Sequence, residues 1–175
     1  MKLVITGVPG SGKTTLAKAL ARVKKWEYVD VNAIAKRYAV KRKTKTGEFE
    51  IDLPKLQRVL RRFLEGKTDF VAEGHLAAEI KISCDLVVIL RCNPRVLMAR
   101  LAKRKYRREK IIDNLLAEAQ DYFPLSVEKN YGKKFIEVDS TKRVSVEKLC
   151  VALHRRKGSS VSWDKELFWL ASQGF

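Results

Sequence analysis

The first twenty residues, MKLVITGVPGSGKTTLAKAL, constrain this chain more than any other stretch. An apolar strand over Leu3 to Thr6 runs into a glycine-rich loop, and a helix begins near Gly12. The loop reads Gly7-Val8-Pro9-Gly10-Ser11-Gly12-Lys13-Thr14, a full match to G-x-x-x-x-G-K-[ST] in the strand–loop–helix setting that the pattern requires. Glycines let successive backbone N–H groups turn inward without a Cβ clash. Those donors and the positive helix N-terminus form a cradle for a polyphosphate. Lys13 is expected to reach the β- and γ-phosphates and the Thr14 hydroxyl to hold Mg²⁺, so the implied ligand is ATP or GTP with Mg²⁺.

The remainder alternates strand and helix. Extended runs are predicted at Glu27 to Val31, Asp69 to Ala72, Leu86 to Leu90 and Phe135 to Val138. Helices are predicted at Lys13 to Val23, from an Asn32 cap to about Tyr38, at Leu53 to Leu64, Pro94 to about Lys103, Glu109 to about Tyr122, and Val144 to Arg155. Residues 39–53 are polar and irregular, with Thr46-Gly47-Glu48 as a turn between two short extended pieces. The alternation predicts an α/β fold of the P-loop NTPase type, a five-stranded parallel sheet with helices on both faces. Ligands of such sheets sit at the carboxyl ends of the strands. The phosphate loop, Glu73 to His75, and Arg91 all fall there and can converge on one site. Lys157 to Ser162 reads as a hinge before a tail helix over about 162–171, with Trp163, Leu167 and Leu170 on one side for docking to the core.

At 175 residues the chain reads as one domain with a proper core. Nothing approaches the length of an apolar membrane span, so no membrane partner is expected. Cysteines 84, 92 and 150 show no C-x-x-C or zinc spacing, and Cys84 and Cys150 are expected to be buried thiols. A reducing, cytoplasmic setting follows. The unusual number is charge: 37 Lys and Arg against 20 acids give +17. A field of that sign favours polyanions, with nucleic acid the obvious one.

Further residues narrow the chemistry. Glu73-Gly74-His75 follows the third sheet strand, and Arg91-Cys92-Asn93-Pro94 follows the fourth and leads into Lys103-Arg104-Lys105-Tyr106. With these motifs the chain resembles the atypical adenylate kinases that assist small-ribosomal-subunit maturation, the coilin-interacting nuclear ATPase group and its archaeal counterparts. The resemblance runs to the Val-Ser-Trp-Asp near the C-terminus. It implies an adenylate-kinase-like core, a nucleotide-monophosphate arm at about 30–53 and a short lid at about 103–113. It also implies Mg²⁺-dependent adenylate kinase and ATPase activity on ATP, AMP and ADP. The implied partners are the ribosomal protein uS11 and rRNA or a pre-40S/30S-type particle.

Carried across, the family's phosphate loop falls on Gly10, Ser11, Gly12, Lys13, Thr14 and Thr15. Its acidic-x-His element falls on Glu73 and His75, with Thr14 and Glu73 toward Mg²⁺ and His75 polarising water or orienting phosphate. Its lid arginine falls on Arg104, with Lys105 where Gly is usual, and Lys142 is the expected edge contact to adenine. Glu73 stands where the family has Asp, one methylene longer. The Asp-Gly-x-Pro-Arg element of general adenylate kinases is replaced by Glu73-Gly74-His75-Leu76-Ala77, so the arginine that clamps the acceptor phosphate is missing from its usual place.

Arg100 and Arg104 lie four apart on one helix face and are expected to supply cations to the γ-phosphate. Residues 36–45 hold six Lys/Arg and no acid, and residues 100–110 hold seven against one Glu. Both runs fall on the edges of the cleft, with Tyr38 and Tyr106 interleaved for base stacking. Two functions are thereby expected together: an ATP-dependent adenylate kinase/ATPase, and an assembly factor acting on ribonucleoprotein. The alternative is a metabolic nucleoside monophosphate or small-molecule kinase.

Overall fold

A computed structural model describes residues 1–43 and 49–174. Strand β1 (Lys2–Thr6) lies at the centre of a five-stranded sheet and feeds helix α1 (Lys13–Lys24). Then come β2 (Glu27–Asp30), α2 (Val31–Tyr38), a hairpin of β3 (Val40–Lys43) and β4 (Phe49–Ile51), and α3 (Leu53–Leu64). Strand β5 (Phe70–Glu73) ends at a short 3₁₀ turn, His75–Ala78. The second half holds β6 (Leu86–Arg91), α4 (Pro94–Lys103), α5 (Arg108–Ala119), α6 (Tyr122–Tyr131), β7 (Phe135–Asp139), α7 (Val146–Arg155) and α8 (Asp164–Ser172). The sheet order is β2-β5-β1-β6-β7, every neighbouring pair parallel.

Strand alternation explains why both sheet faces are covered. Leu3 and Ile5 point to one face, with Leu16 and Leu20 of α1 and Leu149 and Leu153 of α7. Val4 points to the other, where α2 to α6 and α8 pack over Ala72, Val87 and Ile89. Strands β5 and β6, on either side of β1, are buried along their whole length, as expected of strands covered on both faces of a parallel sheet. Among the described residues no helix is long and apolar enough to cross a membrane.

Several local expectations are corrected. Helix α2 is capped by Asp30, whose side chain accepts from Ala33 N at 2.9 Å, and not by Asn32. Asn32 instead turns toward the 3₁₀ turn, where Leu76 N donates to it at 3.4 Å. The helix expected from Glu109 to Tyr122 stops at Ala119, because Asp121 takes a left-handed φ of 56° and its carboxylate pairs with Arg91. A further helix, α6, absent from the sequence expectation, starts there; its Pro124 sits in the first turn, where no intrahelical N–H is needed. Helix α7 begins after a Ser145 cap, at Val146 and not Val144. Cys92 is the buried thiol, while Cys84 and Cys150 are only half-buried. The two extended pieces around the expected turn pair as antiparallel β3 and β4, and Thr46-Gly47-Glu48 lies outside the described residues.

Candidate nucleotide-binding site

The parallel sheet brings the ends of β1, β5, β6 and β7 to one edge, and the site is built there. Gly12 caps α1 with φ 94°, a conformation that an L side chain rarely adopts. Helix α1 has no side-chain cap and no acid in its first turn, so its leading N–H groups remain available to an anion. Ser11 Oγ is buried in the loop with no hydrogen-bond partner. Lys13 is buried and its Nζ donates to Val8 O at 3.1 Å across the loop. Burial lowers the Lys13 ammonium to about 8, with Glu73 opposing that shift and Arg104 adding to it. A buried cation, open N–H donors and an orphan hydroxyl make a cradle that a polyphosphate would complete.

Glu73 closes β5 at the other side of the cradle. It is 2% exposed, and its Oε1 accepts from Thr14 Oγ1 at 3.0 Å and from Tyr28 OH at 2.8 Å. Its Oε2 is buried and has no partner. Burial and then the hydrogen bond to Glu73 push the Tyr28 phenol far above its usual value, so it remains a donor. A hydroxyl beside one carboxylate suits Mg²⁺, which keeps several waters and takes its other ligands from phosphate. No group of three His, Cys, Asp or Glu that could enclose a metal occurs among the described residues.

His75 follows at the start of the 3₁₀ turn and lines the same cavity, of about 730 Å³, as Lys13, Thr14, Thr15 and Arg104. Burial, and then the charges of Lys13, Lys110 and Lys36, lower His75 to about 4. At neutral pH it is therefore an uncharged imidazole, able to accept a proton or a hydrogen bond. Its backbone is set by Gly74, with φ 152°, where an added Cβ would lie 2.9 Å from Asn32 Oδ1.

The remaining expected residues separate. Arg104, the C-cap of α4, lines both the main cavity and a second hollow on the other side of the phosphate loop. Lys105 beside it holds φ 57°, a left-handed conformation that Gly would adopt freely. Arg100 is not a free cation: its guanidinium donates to Ser140 O at 3.0 Å and Thr141 O at 2.9 Å, and more weakly to Gly10 O. It ties the phosphate loop to the turn after β7. Arg91 does not converge on the site; it is 1% exposed and pairs with Glu118, Asp121 and Glu137. Lys142 lines a separate hollow with Lys148 and Gly158; Arg143 lines that hollow too and also, with Ser140, the one beside the phosphate loop.

Residues 3–121 match the sequence family described as AAA domain. The chain belongs to that family. The chain is also similar to archaeal proteins named "Putative adenylate kinase". The one from Thermococcus kodakarensis is 38% identical over 148 residues, 84% of this chain and 80% of the relative. The one from Methanocaldococcus jannaschii is 29% identical over 175 residues, 96% of each chain. Among solved structures, a gluconokinase from Sinorhizobium meliloti superposes with a TM-score of 0.61 at 19% identity, over 89% of this chain and 92% of that one. The architecture is a P-loop kinase fold.

Within this P-loop kinase fold, sequence reasoning missed three contributors. Tyr28 gave no motif signal, because its role depends on β2 lying beside β5. Lys36 stood within a basic run, and only the packing of α2 turns it into the cavity. Arg143 and Lys142 are neighbours in the same loop, and the backbone of that loop decides which one faces the phosphate loop.

Proposed function

We propose that this chain transfers the γ-phosphoryl group of Mg-ATP to AMP and slowly hydrolyses ATP when no acceptor is bound. The observation that carries this reading is the reach of the main cavity. It takes residues from the phosphate loop and also Lys36 of α2, Phe49 and Ile51 of the hairpin, and Tyr122 of α6. An acceptor nucleotide needs a cation for its phosphate and flat apolar walls for its base. Lys36 and those walls meet that need, and they supply a cation where the usual acceptor-clamping arginine is missing. The name carried by the archaeal relatives supports AMP as the acceptor.

In this reading Gly10, Ser11, Gly12 and Thr15 hold the phosphate chain with the α1 N-terminus. Lys13 and Arg104 stabilise charge on the transferring group. Thr14 and Glu73 hold Mg²⁺ and its waters, and the ion would neutralise the phosphates. Uncharged His75 orients the acceptor phosphate, or a water when no acceptor is present. The adenine of ATP rests in the hollow with Ser140 and Arg143.

ATP consumption measured with and without AMP tests this. AMP should speed ATP loss and yield ADP, Lys13→Ala should abolish turnover, and His75→Ala should lower it about 100-fold with nucleotide affinity retained. ATP loss indifferent to both AMP and Lys13→Ala would overturn the assignment. Another acceptor preferred over AMP by orders of magnitude would move it to a small-molecule kinase.

A second reading is that the nucleotide cycle serves assembly of a ribonucleoprotein containing rRNA and uS11. It is supported by exposed cations on segments that also line the cavity, Lys41 in the hairpin with Phe49 and Ile51, and Lys105, Arg107 and Arg108 around Tyr106. RNA affinity falling steeply with salt, together with co-purification of uS11, is the expected outcome. Recovery of neither at moderate salt would reduce the charge to composition.

A further inference from the structure

Glu73 has one more rotatable bond than Asp, so its carboxylate needs an extra restraint to present one oxygen in a fixed direction. Two donors supply that restraint. Thr14 Oγ1 approaches from α1 at 3.0 Å and Tyr28 OH from β2 at 2.8 Å, and both donate to the same oxygen, Oε1. The second oxygen is thereby turned to a buried position with no protein donor. A carboxylate oxygen accepts only, and the waters of a divalent cation are donors.

The placement of Tyr28 follows from strand register. In the parallel β2–β5 pair Tyr28 lies opposite Val71, two residues before Glu73 and so on the same face of the sheet. Its ring lies under Lys18 Nζ, 5.3 Å from the centroid, and Lys18 is one turn beyond Thr14 on α1. The helix thus touches both members of the Tyr28–Glu73 pair. Tyr28 and Glu73 line neither hollow beside the phosphate loop, and Thr14, which shares Glu73 Oε1 with Tyr28, lines the main cavity.

We propose that Tyr28 is a positioning residue that pins the Glu73 carboxylate toward the water shell of a divalent cation bound with nucleotide. The inference rests on the phosphoryl-transfer reading above. Tyr28 lets a glutamate serve where a shorter carboxylate would need no second tether.

The test is Mn²⁺ binding to the ADP complex, followed by electron paramagnetic resonance, in the wild type and in Tyr28→Phe. The phenylalanine keeps the ring against Lys18 and removes only the hydroxyl. Loss of a hydrogen bond to a charged group should weaken Mn²⁺ binding about tenfold, with ADP affinity in chelator unchanged. The KM for Mg²⁺ should rise more than kcat falls. In a Glu73→Asp background the carboxylate retreats from Tyr28, so Tyr28→Phe should cost nothing further. An equal loss in both backgrounds would show that Tyr28 acts through packing and would overturn the proposal, as would wild-type Mn²⁺ affinity in Tyr28→Phe. Failure of the wild type to bind ADP would sink the phosphoryl-transfer reading and this inference with it. Retained ADP binding with no Tyr28 effect would sink this inference alone.

Discussion

Glu73 and Arg91 end the two strands that flank β1, and both are buried, at 2% and 1% exposure. Their surroundings differ in kind. Arg91 gives its Nε to Glu118 at 2.8 Å, pairs with Asp121 and Glu137, and also reaches Glu118 O. The Glu118 carboxylate accepts in turn from Cys92 N at 3.1 Å and Trp163 Nε1 at 2.8 Å, which ties the C-terminal segment to the end of β6. Glu73 has two donors on one oxygen and none on the other. Glu118 also keeps one oxygen unpaired, but its other oxygen already holds the Arg91 cation, whereas among the described residues Glu73 has no cation on either oxygen and its partner Thr14 lines the main cavity. A charge at the carboxyl end of a parallel strand is therefore not by itself a site residue. A buried charge ringed by opposite charges is satisfied by the scaffold, whereas one left half-paired behind a residue that lines a cavity has an acceptor oxygen to spare.

The largest effect should come from breaking the paired side. Arg91→Met leaves Glu118 buried without its cation and should cost about 3–5 kcal/mol in denaturant unfolding. Burial already pushes the Glu118 carboxyl up against the pull of Arg91, and removing Arg91 pushes it further. A folded-state value above the unfolded one confers stability that is lost as pH rises, so the deficit of the variant should grow from acid toward neutral pH. A loss under about 1 kcal/mol, the scale of a surface pair, would erase the contrast.

On the half-paired side the effects should exchange. Glu73→Gln keeps an oxygen for Thr14 and Tyr28, so stability should change by less than about 1 kcal/mol while turnover falls about 100- to 1,000-fold. A variant that unfolds yet turns over normally when folded would put Glu73 with Arg91 as scaffold.

The smallest effect concerns Lys13. Its folded-state value, about 8, lies below the ordinary 10.5, so folding penalises its charge. Since the unfolded chain holds the proton more tightly, that penalty is complete below pH 8 and relieved as pH rises toward 10.5. Lys13→Met should accordingly stabilise the nucleotide-free protein by on the order of 2 kcal/mol at neutral pH, with the gain vanishing at alkaline pH. Thermal melts across that range check it, and a destabilised variant would show that Lys13 is part of the scaffold.

Much of this was legible in the chain. The phosphate loop, the parallel strands and the Glu73–His75 element are local patterns, and each marks a backbone conformation or a charge at a fixed place along a strand. Helix ends were less legible. Asp30 and Asn32 are both good caps, and the choice fell to Asp30 because β2 ends beside Glu73. Helix α6 stayed hidden because the break at Asp121 is made by a distant partner, Arg91.

What the sequence determined by itself was that a polyphosphate cradle sits at the edge of a parallel sheet, since glycine conformations, helix N-termini and strand periodicity act over a few residues. The tertiary structure alone decided which charges serve that cradle. Arg91 and Arg100 carry the same sign of charge as Lys36 and Arg104, but strand order and helix packing set carboxylates and carbonyl oxygens around the first two and leave the others facing the cavity. Pairing between residues far apart in the chain carries no local signature, and it is pairing that separates a structural charge from a working one.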